Sequence, residues 1–433
     1  MEVSNFVELE QALSEKESTI SIKRNILATH SIILPPKTSI QGIPQENGVL
    51  PSLIFEYSDG IGVTTDNQLK NLVINAPSQQ KAIFNAGNDK NLGYFEFANL
   101  TLSGQFSFIM RQGSQKANLH LKQVHVLSAD TRGYMEQSQK YGVNVLQGGL
   151  TIYNFNPDAN SLITLKATDI SIGQTENPVT GSGVFVAGFG DHGGRVEIEE
   201  LHTNNVYSTG RIPFGVANLI TAAIFIVNGV HAQQVKHTGE TITYGVNDMV
   251  LDAWGVVDHW IIDGPIISYG PSGIGFVNFG IVKNFESHAP IETYGLGARG
   301  YNQYDGTLEK GLFQTIRTYG DGSVGVQISK KVGSIIIEEG IHTKGGVGNS
   351  LVKGVNVELP AYALSIKDGG YITDLEINND ISTEGNNVIT FQMEDGGIIE
   401  NLNIKGEIKA IGKNSHQYKI SDTTLLNQIK HQS

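Results

Sequence analysis

Ile266-Ile267-Ser268-Tyr269-Gly270, Ile291-Glu292-Thr293-Tyr294-Gly295, Ile316-Arg317-Thr318-Tyr319-Gly320 and Ile341-His342-Thr343-Lys344-Gly345 are one pattern written four times. The copies are spaced by 25 residues, and Tyr244-Gly245 extends the series one step backwards. A fixed period in the range of roughly 20 to 50 residues is the mark of a repeat architecture. Within each copy the first and third residues are Ile and Ser or Thr, while the residue between is Ile267, Glu292, Arg317 or His342. That is period-2 alternation, a strand with one face inside and a mostly polar face outside. Like residues recurring at one position of successive strands are what a parallel β-helix stacks, one rung every ~4.8 Å.

Working outward, four consecutive rungs cover 246–270, 271–295, 296–320 and 321–345. Ile381-Ser382-Thr383-Glu384-Gly385 repeats the theme after 40 residues, which reads as two shorter rungs. On the N-terminal side, short alternating runs such as Leu72-Val73-Ile74, Leu100-Thr101-Leu102 and Val196-Glu197-Ile198 lie between Gly, Asn, Asp and Pro turns. Residues 137–141 read as a longer loop. Phe6, Leu9 and Leu13 have helical spacing, and Asn5 with Glu8 forms a capping box, so 1–18 reads as a helical lid over the first rung. Leu425, Leu426 and Ile429 suggest a second cap or tail over 421–433. With no linker or composition break, the expectation is one all-β domain over 1–433, with rungs over 19–420.

Composition narrows the function classes. The chain has 433 residues, of which 51 are glycine without any G-x-y period, so it is not collagen-like. A net charge of −13 argues against a general nucleic-acid binder and against an anionic membrane surface. With no cysteine, disulfides, thiolate catalysis and Cys-ligated zinc are excluded. No signal peptide is visible in 1–10. The most apolar stretch, 215–230, contains Asn218 and Asn228 and falls short of the ~18 residues of a spanning helix. Oligomeric state is not legible.

The N-terminal cap helix, the rung length and the stacked Ile and Thr together resemble the pectin-lyase-like superfamily of single-stranded right-handed parallel β-helices. The resemblance is one of fold and covers nearly the whole chain. It implies a secreted or cell-surface protein whose partner is a polysaccharide, acting as a polysaccharide lyase or glycoside hydrolase. The same fold also implies the alternative of a non-catalytic surface or adhesion solenoid. The polygalacturonase-like strings Asn-Thr-Asp, Asp-Asp, Gly-His-Gly and Arg-Ile-Lys are absent. Val257-Asp258-His259-Trp260 and Arg211-Ile212-Pro213 are incomplete echoes of pectate-lyase strings, and no catalytic set carries over.

Candidate residues therefore come from the rung alignment. Asp263 and His288 share the eighteenth position of adjacent rungs. A carboxylate beside an imidazole fixes the tautomer and suits general acid–base work; the same pair on an exposed face is an ordinary ion pair. Trp254, Phe279 and Tyr304 share the ninth position, either as an outward strip for sugar rings or as a ladder in the core. The rung Arg299-Gly300-Tyr301-Asn302-Gln303-Tyr304-Asp305-Gly306 is the most polar. Asn302 shares the seventh position with Asp252 and Gln327, and Asp305 sits beside Lys330. Arg299 and Asp305, with Asp263 and His288, are the candidates for acid–base work; Asp248, Asp252, Asn302, Tyr304 and Lys330 are the candidates for substrate binding. Asp248 with Asp252 offers an alternative oxygen pair for Ca²⁺, while no dedicated metal site or other cofactor motif is evident. Asp191-His192-Gly193-Gly194-Arg195 is either a catalytic loop or a turn between rungs.

Overall fold

A computed structural model describes residues 1–352 and 354–422, together with Leu425 and Ile429. The described residues are predominantly β, with a helix near the N-terminus, and the long sheets are parallel, as in a β-solenoid. Two compact units are distinguished by internal packing. One comprises Met1–Ser138, Leu146–Ser208 and Ile226–Gln233; the other comprises Gln139–Val145, Thr209–Phe225 and Gln234–Ser433. Among the described residues no helix is long and apolar enough to cross a membrane.

In the first unit the helix runs Phe6–Ser14. Asn5 Oδ1 accepts from the Glu8 backbone N–H at 3.0 Å, and Glu8 Oε2 accepts from the Ser4 N–H at 2.7 Å, so side chains answer backbone donors that a helix start leaves open. Leu9 and Ala12 are fully buried. Beyond it, parallel strands stack like on like: Leu69, Phe97, Leu121 and Ala167 follow one another in register. Phe95 meets Phe108, and Phe97 meets Phe106, edge to face at 5.0 and 4.9 Å across the core.

In the second unit each rung carries three strands. Ile266, Ile291, Ile316, Ile341, Ile381 and Ile408 form one continuous inward column, the first five of them fully buried. The core aromatic ladder is Phe276, Tyr301, Phe285 and Phe313, with Phe276 and Phe285 stacked at 4.1 Å. Thr343 pairs directly with Thr383. The 40-residue spacing is thus one rung with an insertion, not two short rungs. The insertion is an antiparallel hairpin, Val347–Val352 with Val355–Pro360. The loop expected over 137–141 contains Gln139–Lys140, paired with Val143–Val145 as a small hairpin. Of the second cap read over 421–433, the exposed Ser421 and Asp422 and the buried Leu425 and Ile429 are described; its other residues lie outside the described residues.

One irregularity sets up the site. On the strands Asp248–Ala253, Ile274–Asn278 and Arg299–Gln303, the cross-strand register skips Val250, Gly275 and Gly300. A Cβ on Gly275 would lie 2.3 Å from Ile291 Cγ2, and one on Gly300 2.2 Å from Ile316 Cγ2. These glycines face the isoleucine column. Their neighbours Phe276 and Tyr301 face the core too, so two consecutive residues point inward, as at a bulge. The pairs Met249 and Asp252, Ile274 and Val277, and Arg299 and Asn302 are thereby left on the outer face.

Candidate functional site

That outer face is the floor of a cleft of about 670 Å³ lying wholly within the second unit, a volume ordinary for a small-molecule or sugar site. Met249, Asp252, Ile274, Val277 and Arg299 form the floor. Trp254, Phe279 and Tyr304, at the turn that follows these strands, line one side, with Asp305 and Lys330 beyond them. Leu351 and Gly354 of the inserted hairpin contribute as well. The remaining boundary comes from Tyr141 to Val143 and from Ala217, Asn218 and Ile220.

The ninth-position aromatics face this cleft, so the core-ladder alternative belongs instead to Phe276 and Tyr301. Phe279 and Tyr304 stack at 5.1 Å with 19° between their planes. Tyr141 stacks on Phe279 at 4.5 Å and meets Trp254 edge-on at 5.3 Å. Trp254 is 4% exposed beneath this cover.

Two charged residues in the floor lack their usual partners. Asp252 is fully buried, and neither carboxyl oxygen has a hydrogen-bond donor. Burial pushes its pKa well above the carboxylate range; the Trp254 indole offsets this only in part and falls short of hydrogen-bond geometry, its own N–H also being unpaired. An isolated buried carboxylate is costly to ionise, so burial favours the protonated form of Asp252. Arg299 is 4% exposed. Its Nη1 donates to Gly297 O at 3.3 Å, and its Nη2 donates to Ser350 Oγ and Leu351 O at 3.2 and 3.3 Å. Its Nε has no acceptor. Burial lowers its pKa, but from a value so high that the guanidinium remains a cation.

The other candidates divide. Asp305, Tyr304 and Lys330 share the cleft with Asp252 and Arg299. Asn302 is buried in the same column, its Oδ1 accepting from Gln327 Nε2 at 3.3 Å while its Nδ2 is unpaired. Asp248 is not part of the lining. Its two oxygens are held by Thr221 Oγ1 at 2.7 Å, Gly245 N–H at 2.6 Å and Gly210 N–H at 3.0 and 3.1 Å. Burial outweighs these bonds and pushes its pKa up to about 6. Surrounded by donors, Asp248 offers a cation nothing. Among the described residues no three His, Asp or Glu side chains are placed to hold a metal ion.

His288 and Asp263 meet as their register requires, Nδ1 to Oδ1 at 3.0 Å, but outside the cleft lining. The pair is about two-fifths exposed; Lys236 lies 2.9 Å from the other Asp263 oxygen and Glu286 lies 3.5 Å from His288 Nε2. The hydrogen bond from His288, then that from Lys236, lowers the Asp263 pKa. In the first unit, Asp191 and His192 sit on an exposed turn between the strands Ser182–Ala187 and Arg195–Thr209.

Alignment by rungs misses Tyr141, Ala217 and Leu351, because they lie in segments outside the repeat and no register connects them to the floor. No protein-family model, curated protein or solved structure matches this chain.

Proposed function

We propose that the second unit binds a glycan in this cleft and cleaves it, as a carbohydrate-active β-helix of pectin-lyase-like type. The observation that carries the reading is Asp252, a buried acid without a partner beside an aromatic strip. Sugar rings lay apolar C–H faces on aromatic side chains, and the half-buried Phe279 and Tyr304, backed by Trp254, provide that surface. A carboxyl group kept protonated by burial suits donation of a proton to a departing glycosidic oxygen. Asp305 is the second carboxylate, accepting the proton of the attacking water, which favours hydrolysis over elimination. Arg299 Nε and Lys330 supply donors for sugar oxygens. The reading implies a secreted or surface location, where polysaccharide is encountered. The mostly apolar lining favours a second reading, an adhesion solenoid that binds without turnover.

Calorimetry against neutral and uronate glycans, with an assay for newly released reducing ends, separates the two. The expected result is a glycan that binds at least tenfold more weakly to Trp254→Ala, about 1.4 kcal/mol, and whose cleavage is abolished in Asp252→Asn with binding kept. Binding without turnover in the unaltered protein selects the adhesion reading. Trp254→Ala binding as tightly as wild type removes the cleft from either.

A further inference from the structure

In the small hairpin of Gln139–Lys140 with Val143–Val145, Lys140 pairs with Val143, so the turn consists of Tyr141 and Gly142 alone. Both have positive φ, 55° and 81°. That is the backbone of a two-residue type I′ turn, whose first position favours Asn or Gly and strains a bulky side chain. Gly142 stands clear of the rest of the chain: a Cβ there would meet no atom within 4 Å. What the turn delivers to the cleft is the Tyr141 ring. A strained residue persists where its surroundings over-determine it, and here those surroundings are the aromatic groups of the cleft.

The ninth-position column shows what that ring replaces. Phe279 and Tyr304 are stacked, but Trp254, one rung earlier, is turned 74° from the Phe279 plane at 6.2 Å and does not continue the stack. Tyr141 continues it instead, 4.5 Å from Phe279 with 29° between the planes, and edge-on to Trp254 at 5.3 Å. Its hydroxyl donates to Phe279 O at 3.4 Å, a long bond. The cleft thus already holds a six-membered ring bearing a hydroxyl, and the repeat does not supply it. That ring serves the place incompletely: the Trp254 N–H and both Asp252 carboxyl oxygens have no partner, and Tyr141 itself is 41% exposed. A pyranose has the same ring size and carries hydroxyls around its rim, where a phenol carries one. Resting on the glycan reading above, we infer that the place Tyr141 occupies is a pyranose-ring subsite and that Tyr141 is its displaceable lid. A ligand ring enters by lifting the hairpin tip off Phe279 and Trp254, while the base stays paired through Asn144 and Val145 to Leu219 and Ile220. The exchange gives partners to buried polar groups that the lid leaves unpaired.

The test replaces Tyr141 in the full chain by Asn, which suits the turn and removes the ring, and by Phe, which keeps the ring and drops the hydroxyl. Acrylamide quenching of tryptophan fluorescence is measured first. The chain has two tryptophans, and Trp260 is fully buried in the core, so the quenchable signal is that of Trp254 in the cleft. Tyr141→Asn is expected to raise the quenching constant at least twofold, with Tyr141→Phe close to wild type. Unchanged quenching in Tyr141→Asn overturns the lid, whatever the protein binds; a rise of the same size in Tyr141→Phe overturns the ring as the cover. Calorimetry with neutral and uronate oligosaccharides comes second. A lid that must be lifted reduces apparent affinity, so Tyr141→Asn should bind about fivefold more tightly than wild type. Equal or weaker binding makes Tyr141 a fixed part of the wall, and overturns the lid while leaving the glycan reading intact. If no oligosaccharide binds wild type or Tyr141→Asn, the glycan reading fails and the ring subsite fails with it, even where quenching shows Tyr141 in place as a cover.

Discussion

Two aromatic columns recur along the second unit with the same 25-residue period, and they behave in opposite ways. At the Tyr-Gly corner, Tyr244, Tyr269, Tyr294 and Tyr319 stack on one another at 5.7, 5.1 and 4.4 Å. Lys344 covers the last ring at 5.5 Å, and Glu292 accepts from the Tyr294 and Tyr319 hydroxyls at 3.1 and 3.2 Å. Each ring has partners supplied by the coil. Along the cleft, Trp254, Phe279 and Tyr304 stand beside an unpaired indole N–H, an unpaired guanidinium Nε and an unpaired carboxyl group. A repeat that satisfies its own polar groups is a scaffold. One that buries polar groups without satisfying them retains a cost that a ligand can relieve.

Asp248 and Asp252 put the contrast on a single strand, and breaking it there has the largest expected effect. Asp248→Ala leaves three buried donors without an acceptor and should cost about 3–5 kcal/mol. Asp252→Asn should cost nothing or stabilise the fold, because it removes a group that resists ionisation. Urea denaturation of the two variants measures both; equal losses would erase the distinction between pinned and unpinned carboxyls.

A pH series sharpens the same point. The Asp248 pKa is raised on folding from 3.8 to about 6. The folded chain therefore holds this proton more tightly than the unfolded chain does. The associated stability is fully present below pH 3.8 and is lost as pH climbs through about 6, by up to about 3 kcal/mol. Between pH 4 and 6 the decline should be shallower in Asp248→Asn than in wild type; superimposable slopes would count against the burial argument.

Smallest is the effect at the scaffold column itself. Tyr294→Ala should cost about 1 kcal/mol through lost stacking and leave ligand affinity unchanged. Affinity falling together with stability would mean that the Tyr-Gly face takes part in binding.

The period made the strands and most of their columns readable in advance. Ile266 to Ile341, the meeting of Asp263 with His288 and the alignment of Asn302 with Gln327 all follow from counting by 25. The cleft was legible only in part. Strict alternation cannot foresee that Gly275 and Phe276 both face inward, which decides that Val277 and Asn302 face out. Nor does a register reach Tyr141, Ala217 or Leu351, which arrive at the floor from segments that repeat nothing. Asp248 and Asp252 look equivalent as letters; only the donors at Thr221, Gly210 and Gly245 tell them apart.

The glycines at 275 and 300 carry a consequence for adaptability. With only a hydrogen between the outer sheet and the isoleucine column, the two walls of the coil are already at closest approach there. The floor beneath Arg299 and Asp252 has no slack in that direction, and a ligand meets it as a fixed template. Accommodation of differently shaped ligands falls to the inserted hairpin and to the segments around Tyr141 and Ala217. Divergence in recognition should therefore accumulate in those inserted pieces, while the rungs below them stay the same.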